Sequence, residues 1–320
     1  MPVRCAGAQD DGEFCDKQRE VRSEKILAIP NDGAHVSSGA RLSMLQPPRL
    51  FERPRARTLV MGVLNVTPDS FSDGGQFMTP AAAIARARVM IDEGADIIDV
   101  GAESTRPGHA PISADEELNR LLPVLEQLAP ACSVPISVDT TKAIVARRAI
   151  ASGAAIINDQ WGLQGDSEMA LVAAEHEVPV IAMHNQRGRA YDELMADVIG
   201  FLRRSLDIAD RAGLGRERVI VDPGFGFAKT PEQNLEVLRR LDELMVLERP
   251  ILVGTSRKSM IGRVLTETTA DDRVEGTAAT VAIAIAFGAD IVRVHDVRAM
   301  SRVARMADAV MRLRPRSDAP

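Results

Sequence analysis

The stretch that decides the fold opens as Leu59-Val-Met-Gly-Val-Leu-Asn65 and passes through a polar loop from Thr67 to Gly75. It continues as Thr79-Pro80-Ala-Ala-Ala-Ile-Ala-Arg-Ala-Arg-Val-Met-Ile-Asp92 and returns to an apolar run, Asp96-Ile-Ile-Asp-Val100. The first and last runs have the length and apolar content of buried strands. The segment between them reads as a helix, with Thr79 as N-cap and Pro80 at the first helical position, where a missing N–H costs nothing. Working outward, the same order of apolar run, Gly-, Pro- or Ser-rich loop and Ala/Leu/Arg-rich helix recurs to the end of the chain. Candidate strands lie at 59–65, 96–100, 135–139, 155–158, 179–183, 219–222, 251–254 and 291–295. Further helix starts are marked by Ser113-Ala-Asp-Glu116, which spells a capping box, and by Thr230-Pro231.

Continuous apolar strands suit a parallel sheet covered on both faces. Eight βα units over about 255 residues, joined by right-handed crossovers, predict a closed (β/α)8 TIM barrel in the α/β class. The open doubly wound sheet is the alternative, but its glycine-rich dinucleotide turn is missing after the first strand, where the chain reads Thr67-Pro-Asp-Ser-Phe-Ser-Asp-Gly-Gly75. The 320 residues therefore divide into one barrel at 47–315 and a flexible or disordered N-terminal extension at 1–46, whose mixed charge, Gly and Ser follow no period.

Composition excludes several classes. A net charge of −6 with only Phe 8, Tyr 1 and Trp 1 lacks the basic track and stacking platforms of a nucleic-acid groove. The most apolar segment, 278–287, is about half of what a bilayer crossing requires and reads as a buried helix. Cys5, Cys15 and Cys132 have neither disulfide nor metal spacing, and charges throughout the first 25 residues leave no signal-peptide core. A soluble, cytoplasmic protein is expected.

In such a barrel, chemistry sits where the strands end. Those ends read Asn65, Glu103-Ser-Thr-Arg106, Asp139, Asn158, His184, Asp222, Lys258, Arg293 and His295. Each alone has a plain structural role: Asp139 and Asp222 as helix caps, Asn65 and Asn158 as turn formers, His295 as a core histidine. Their co-location at one mouth carries the functional reading, because unpaired polar groups there would each cost about 1–3 kcal/mol. Arg106, Lys258, Arg293 and His295 suit a phosphate or diphosphate. Asn65 beside Asp69 and Asp73 suits Mg2+ shared with substrate phosphates. Asp139, Asn158 and Asp222 suit a heterocycle with an amidine-like N–H edge. No Ser-His-Asp set, His-Glu-x-x-His or Walker loop accompanies them.

The segments Met61-Gly-Val-Leu-Asn-Val-Thr-Pro-Asp-Ser-Phe-Ser-Asp-Gly-Gly75, Gly101-Ala-Glu-Ser-Thr-Arg-Pro-Gly108, Ile136-Ser-Val-Asp-Thr140, Ile157-Asn-Asp159, Asp222-Pro-Gly-Phe-Gly-Phe227, Thr255-Ser-Arg-Lys-Ser259 and Arg293-Val-His-Asp296 together resemble the dihydropteroate synthases, pterin-binding barrels. The resemblance covers about residues 48–315. It implies condensation of 6-hydroxymethyl-7,8-dihydropterin diphosphate with 4-aminobenzoate, an SN1-like transferase reaction of folate synthesis, in a homodimer that uses Mg2+. Carried over residue by residue, it implies Asn65 and Asp73 on Mg2+; Asp139, Asn158, Met183, Asp222 and Lys258 on the pterin; Asn65, Thr105, Arg106, Arg293, Val294 and His295 on the diphosphate; and Phe71, Pro107, Phe227 and Ser259 around the aminobenzoate. Asp73, Thr105, Arg106 and Lys258 are the implied catalytic set. Two features depart from the family: the Met183-His-Asn-Gln-Arg-Gly188 loop and the extension before residue 47. A methyltetrahydrofolate-binding methyltransferase domain and a catalytically silent homologue are the rival readings.

Overall fold

The structure, a computed structural model, describes residues 56–67, 79–103, 110–186, 190–266 and 269–312. The extension 1–46 and the implied site residues Phe71, Asp73, Thr105, Arg106 and Pro107 lie outside them.

Eight parallel strands alternate with helices along the described chain. In order these are β1 (Leu59–Asn65), α1 (Pro80–Asp92), β2 (Ile97–Gly101), α2 (Ala114–Leu128), β3 (Ile136–Asp139), α3 (Ala143–Ala151), β4 (Ile156–Asp159) and α4 (Met169–Glu175). They continue with β5 (Val180–Met183), α5 (Leu194–Arg211), β6 (Val219–Asp222), α6 (Pro231–Arg239), β7 (Leu252–Val253), α7 (Ser259–Leu265), α8 (Val274–Ala286), β8 (Ile291–Val294) and α9 (Val297–Met311). The hydrogen-bonded order β6-β5-β4-β3-β2-β1-β8-β7 is brought round on itself by a parallel bridge between Val221 and Ile251. This is the TIM barrel that the alternation predicts.

The apolar runs do two jobs. Leu59, Met61, Ile97, Ile156, Ile181, Ile220, Leu252 and Ile291 point inward and form a plug inside the barrel. The residues one step away, among them Val60, Ile98, Val138, Ile157, Val221 and Val292, pack outward under the helices. Strands buried on both faces are apolar at every position, whereas the period of 2 still decides which side chains see the lumen.

The prolines before several strands fit because only their carbonyls are used: Pro135, Pro179 and Pro250 accept from the N–H groups of Ile98, Ile157 and Val221. Strand seven is shorter than the predicted 251–254 because Ile251 reaches β6 through one bridge only. The capping box falls elsewhere than expected. Ser113 accepts from Glu116 N, but the Glu116 carboxylate pairs with Arg120 at 2.8 Å instead of reaching back. Thr230 and Gln233 make the complete reciprocal pair. The apolar segment 278–287 is half-buried rather than buried, since α8 packs Thr277, Thr280, Val281, Ala284 and Ile285 inward and leaves Ile283 42% exposed. Among the described residues no helix is long and apolar enough to cross a membrane.

Candidate functional site

Parallel register sets the carboxyl-terminal ends of the strands side by side. Asn65 pairs with Gly101, Gly101 with Asp139 and Asp139 with Asn158, while Met183 pairs with Asp222. Two-residue steps from the inward plug reach Asp99, Asn158, Met183, Asp222 and Arg293, and Asp139 alternates with the outward Ile136 and Val138 of β3, so these side chains face the lumen above an apolar floor. Gly101 keeps the first wall open: a Cβ there would lie 3.7 Å from Asp139 Oδ2 and 3.8 Å from Asn65 Oδ1.

The centre of this ring is an ionic lattice. Arg293 donates from Nε to Asp99 Oδ2 at 2.7 Å and from Nη2 to Asp139 Oδ2 at 2.8 Å. Asn158 Nδ2 donates to the same Asp99 oxygen at 3.1 Å, and Gln160 Nε2 donates to Asp139 Oδ1 at 2.7 Å. Asp99 is fully buried, and among the described residues its Oδ1 has no hydrogen-bond partner. Burial pushes the Asp139 carboxyl up, the Arg293 cation pulls it back and the Asp99 charge adds to the rise. A guanidinium shared by two buried carboxylates fixes both in place, at a desolvation cost that a purely structural core would avoid.

The loop after β6 supplies the opposite wall. Asp222 Oδ1 accepts from Gly224 N at 2.7 Å, and burial raises Asp222 to about 6, with the Gly224 N–H and the Lys258 charge opposing. Gly224 sits at φ +73, and a Cβ there would lie 2.0 Å from His184 O, so only glycine permits this turn. Gly226 leaves room for Lys258, whose Nζ lies 4.4 Å from the centroid of the Phe227 ring. His295 N donates to Ser256 Oγ at 3.2 Å, and Ser256 Oγ lies 3.0 Å from His295 Nδ1. The serine hydroxyl thus meets both the backbone and the ring of His295 and fixes the orientation of the imidazole. Burial, then the charges of Arg293, Arg257 and Lys258, lower His295 to about 3.

The structure thus gathers Asn65, Asp139, Asn158, Met183, Asp222, Phe227, Lys258, Arg293 and His295 around one mouth, with Ser259 exposed at the start of α7 beside Lys258. Three expectations change. Val294 is fully buried against the outer core, one step off the inward register, so its side chain takes no part in a diphosphate site. His184, also off register, is buried with its ring against Phe201 of α5. His295 is neutral, so it offers a hydrogen bond and not a cation. Glu103 is already engaged, accepting from Lys142 Nζ at 2.7 Å and from Ile112 N at 3.0 Å.

Asp99, Gln160 and Lys229 belong to the site or its frame and were not among the sequence candidates. Asp99 had a signal, a charge in the middle of a buried run two residues from inward Ile97. Gln160 and Lys229 lie in loops whose course the sequence does not fix.

The chain matches the family described as "Pterin binding enzyme" over residues 61–295. It is 51% identical over 257 residues to the dihydropteroate synthase of Bacillus subtilis (strain 168), covering 80% of this chain and 90% of that protein. A dihydropteroate synthase of Clostridium difficile, solved in the presence of pteroic acid, superposes with a TM-score of 0.78 at 51% identity, over 80% of this chain and 98% of that one. The Xanthomonas albilineans dihydropteroate synthase with 4-aminobenzoic acid superposes with a TM-score of 0.77 at 41% identity, over 81% and 94%.

Proposed function

The chain belongs to the pterin-binding enzyme family, and from that premise we infer that it is a dihydropteroate synthase. It is a transferase that joins 6-hydroxymethyl-7,8-dihydropterin diphosphate to 4-aminobenzoate, giving 7,8-dihydropteroate and diphosphate. The observation that carries this reading is the set Asp139, Asn158 and Asp222 at neighbouring strand ends above an apolar plug, with Arg293 bonded to Asp139 and to Asp99 behind it. A flat heterocycle with an N–H edge satisfies such a set, and water fills it less well.

Asp222 accepts from the pterin N–H edge with the capacity that Gly224 leaves it, while Asn158 and Asp139 address other ring atoms and Met183 packs against the ring. Arg293 acts first by fixing Asp99 and Asp139, and then presents its remaining donors toward the diphosphate. His295 adds a neutral imidazole, and Lys258 serves both the pterin and the departing charge. We place Thr105 and Arg106 of the second loop at the diphosphate as well, and Phe71, Pro107, Phe227 and Ser259 around the aminobenzoate.

In the reaction the carbon–oxygen bond to the diphosphate breaks with both electrons leaving on oxygen. The resulting pterin methylene cation is attacked by the aryl amine, which then loses a proton. A cation beside a leaving polyanion needs preorganised charge and exclusion of water more than a strong base. Both conditions suit this mouth, to which we also assign Asp73.

Asn65 offers a hard amide oxygen, partly exposed at the end of β1, and no group of three His, Cys, Asp or Glu side chains capable of holding a metal occurs among the described residues. The Asn65 oxygen fits Mg2+ held by Asn65 and Asp73 together with substrate phosphates. When bound, Mg2+ neutralises charge building on the leaving diphosphate. Turnover of the two purified substrates, with and without Mg2+, tests the reading as a whole.

We also read the chain as a cytoplasmic homodimer. The odd cysteine count favours a reducing setting, which cell fractionation checks. Ala279, Ile283 and Ala286 form an exposed apolar stripe on α8, with Met306 and Val310 each 66% exposed on the adjoining α9. Two copies meeting there would cover it. Light scattering should give twice the chain mass, and the mass of a single chain would contradict the dimer.

A further inference from the structure

Lys229 has no ligand role in the reaction above, yet its ammonium is surrounded by groups from two walls of the site. It lies 2.8 Å from His184 Nδ1 and donates to the carbonyls of Gly224 at 3.1 Å and Phe227 at 3.4 Å. Burial lowers His184 to about 3, so its neutral ring accepts from the Lys229 ammonium at Nδ1. His184 is itself fixed, with its backbone N–H on Asp222 O at 2.8 Å and its ring edge-on to Phe201 at 4.9 Å. Burial also lowers Lys229 to about 7, with the Asp222 charge opposing. Such a buried ammonium costs more than a surface lysine, and the same three contacts tie the turn after β6 to the segment after β5.

The far side of that turn carries the chemistry. The Phe227 ring lies under the Lys258 ammonium, and the place of a Cβ on Gly226 is taken by the Lys258 side chain. We propose that Lys229 is a positioning residue of the synthase: by holding the carbonyls of Gly224 and Phe227 against His184, it sets the Phe227 ring and, through it, the Lys258 ammonium. This rests on the functional reading above.

The test is a double-mutant cycle of Lys229→Met and Phe227→Ala, read both in pteroic acid affinity and in kcat/KM for 4-aminobenzoate. Lys229→Met takes a donor from His184 Nδ1 and from two carbonyls, so some fall in melting temperature is expected, and the cycle is read on protein that circular dichroism shows to be folded. In the wild-type background Lys229→Met should weaken both readouts about tenfold. In the Phe227→Ala background it should add less than twofold, because the ring through which it acts is gone. Equal losses in both backgrounds, or no loss in the first, would overturn the proposal. Should Lys229→Met fail to fold, Lys229→Leu, which likewise offers the carbonyls no N–H, is put through the same cycle with the same two criteria. Wild-type protein that binds pteroic acid without turnover defeats the synthase reading, while the affinity arm still decides the role of Lys229.

Discussion

Replacing Asp222 with alanine should abolish measurable pterin binding, with an affinity loss of about a hundredfold or more. The estimate follows from chemistry: removing a charged acceptor costs its own hydrogen bond and leaves the ligand N–H edge unsatisfied in a buried site, together about 3 kcal/mol. Asp222→Asn separates two contributions. Its side-chain oxygen can still cap Gly224 N, so the turn survives while the negative charge is lost. Calorimetry with pteroic acid reads both variants, and unchanged affinity in Asp222→Ala would remove Asp222 from the site.

The same carboxyl gives a pH dependence of definite sign. Because burial raises Asp222 to about 6, ligand that needs the carboxylate should bind progressively more weakly below pH 6, approaching tenfold per unit in the wild type. Asp222→Asn should flatten that profile. Free-protein stability runs the other way: a carboxyl raised above its unfolded value near 3.9 contributes stability at acid pH that is lost as the pH rises through 6. The ionised form is thus a strain that the folded site carries and the ligand relieves.

The second large effect belongs to Arg293. Arg293→Met removes the only cation in hydrogen-bond contact, among the described residues, with Asp99 and Asp139, and leaves two carboxylates buried side by side. Loss of one member of such a buried set costs about 3–5 kcal/mol, a fall of roughly 6 °C or more in melting temperature at neutral pH. Activity should be lost with it. Arg293 is what holds the buried Asp139 carboxyl down, so without it that carboxyl rises further and part of the stability should return on acidification. Adding Asp99→Asn should also recover stability without recovering activity. A thermal melt of Arg293→Met identical to wild type at neutral pH would show that the lattice contributes nothing.

Much of this was legible in the sequence because strand ends in a barrel are where side chains converge. The eight apolar runs, their order and the candidates Asn65, Asp139, Asn158, Asp222, Lys258, Arg293 and His295 come from that rule alone. What it omits is parity. Val294 and His184 stand at strand ends yet one step out of phase with the inward Ile291 and Ile181, so their side chains turn to the helices. Asp99 stands inside a strand but in phase, and so becomes the buried partner of Arg293. Gln160 and Lys229 depend on loop paths set by tertiary contacts, including the positive φ of Gly224, which no local pattern specifies. The neutral state of His295 likewise follows from its burial, and then from the cations around it, and not from its place in the chain.

The most direct measurement is the reaction itself. Purified protein is incubated with 6-hydroxymethyl-7,8-dihydropterin diphosphate and 4-aminobenzoate, and products are separated by chromatography. The expected result is 7,8-dihydropteroate and diphosphate in equal amounts, dependent on Mg2+ and absent with Asp222→Ala. Protein that binds the pterin diphosphate tightly yet releases neither product in the presence of Mg2+ would contradict the account and identify a silent pterin-binding homologue instead.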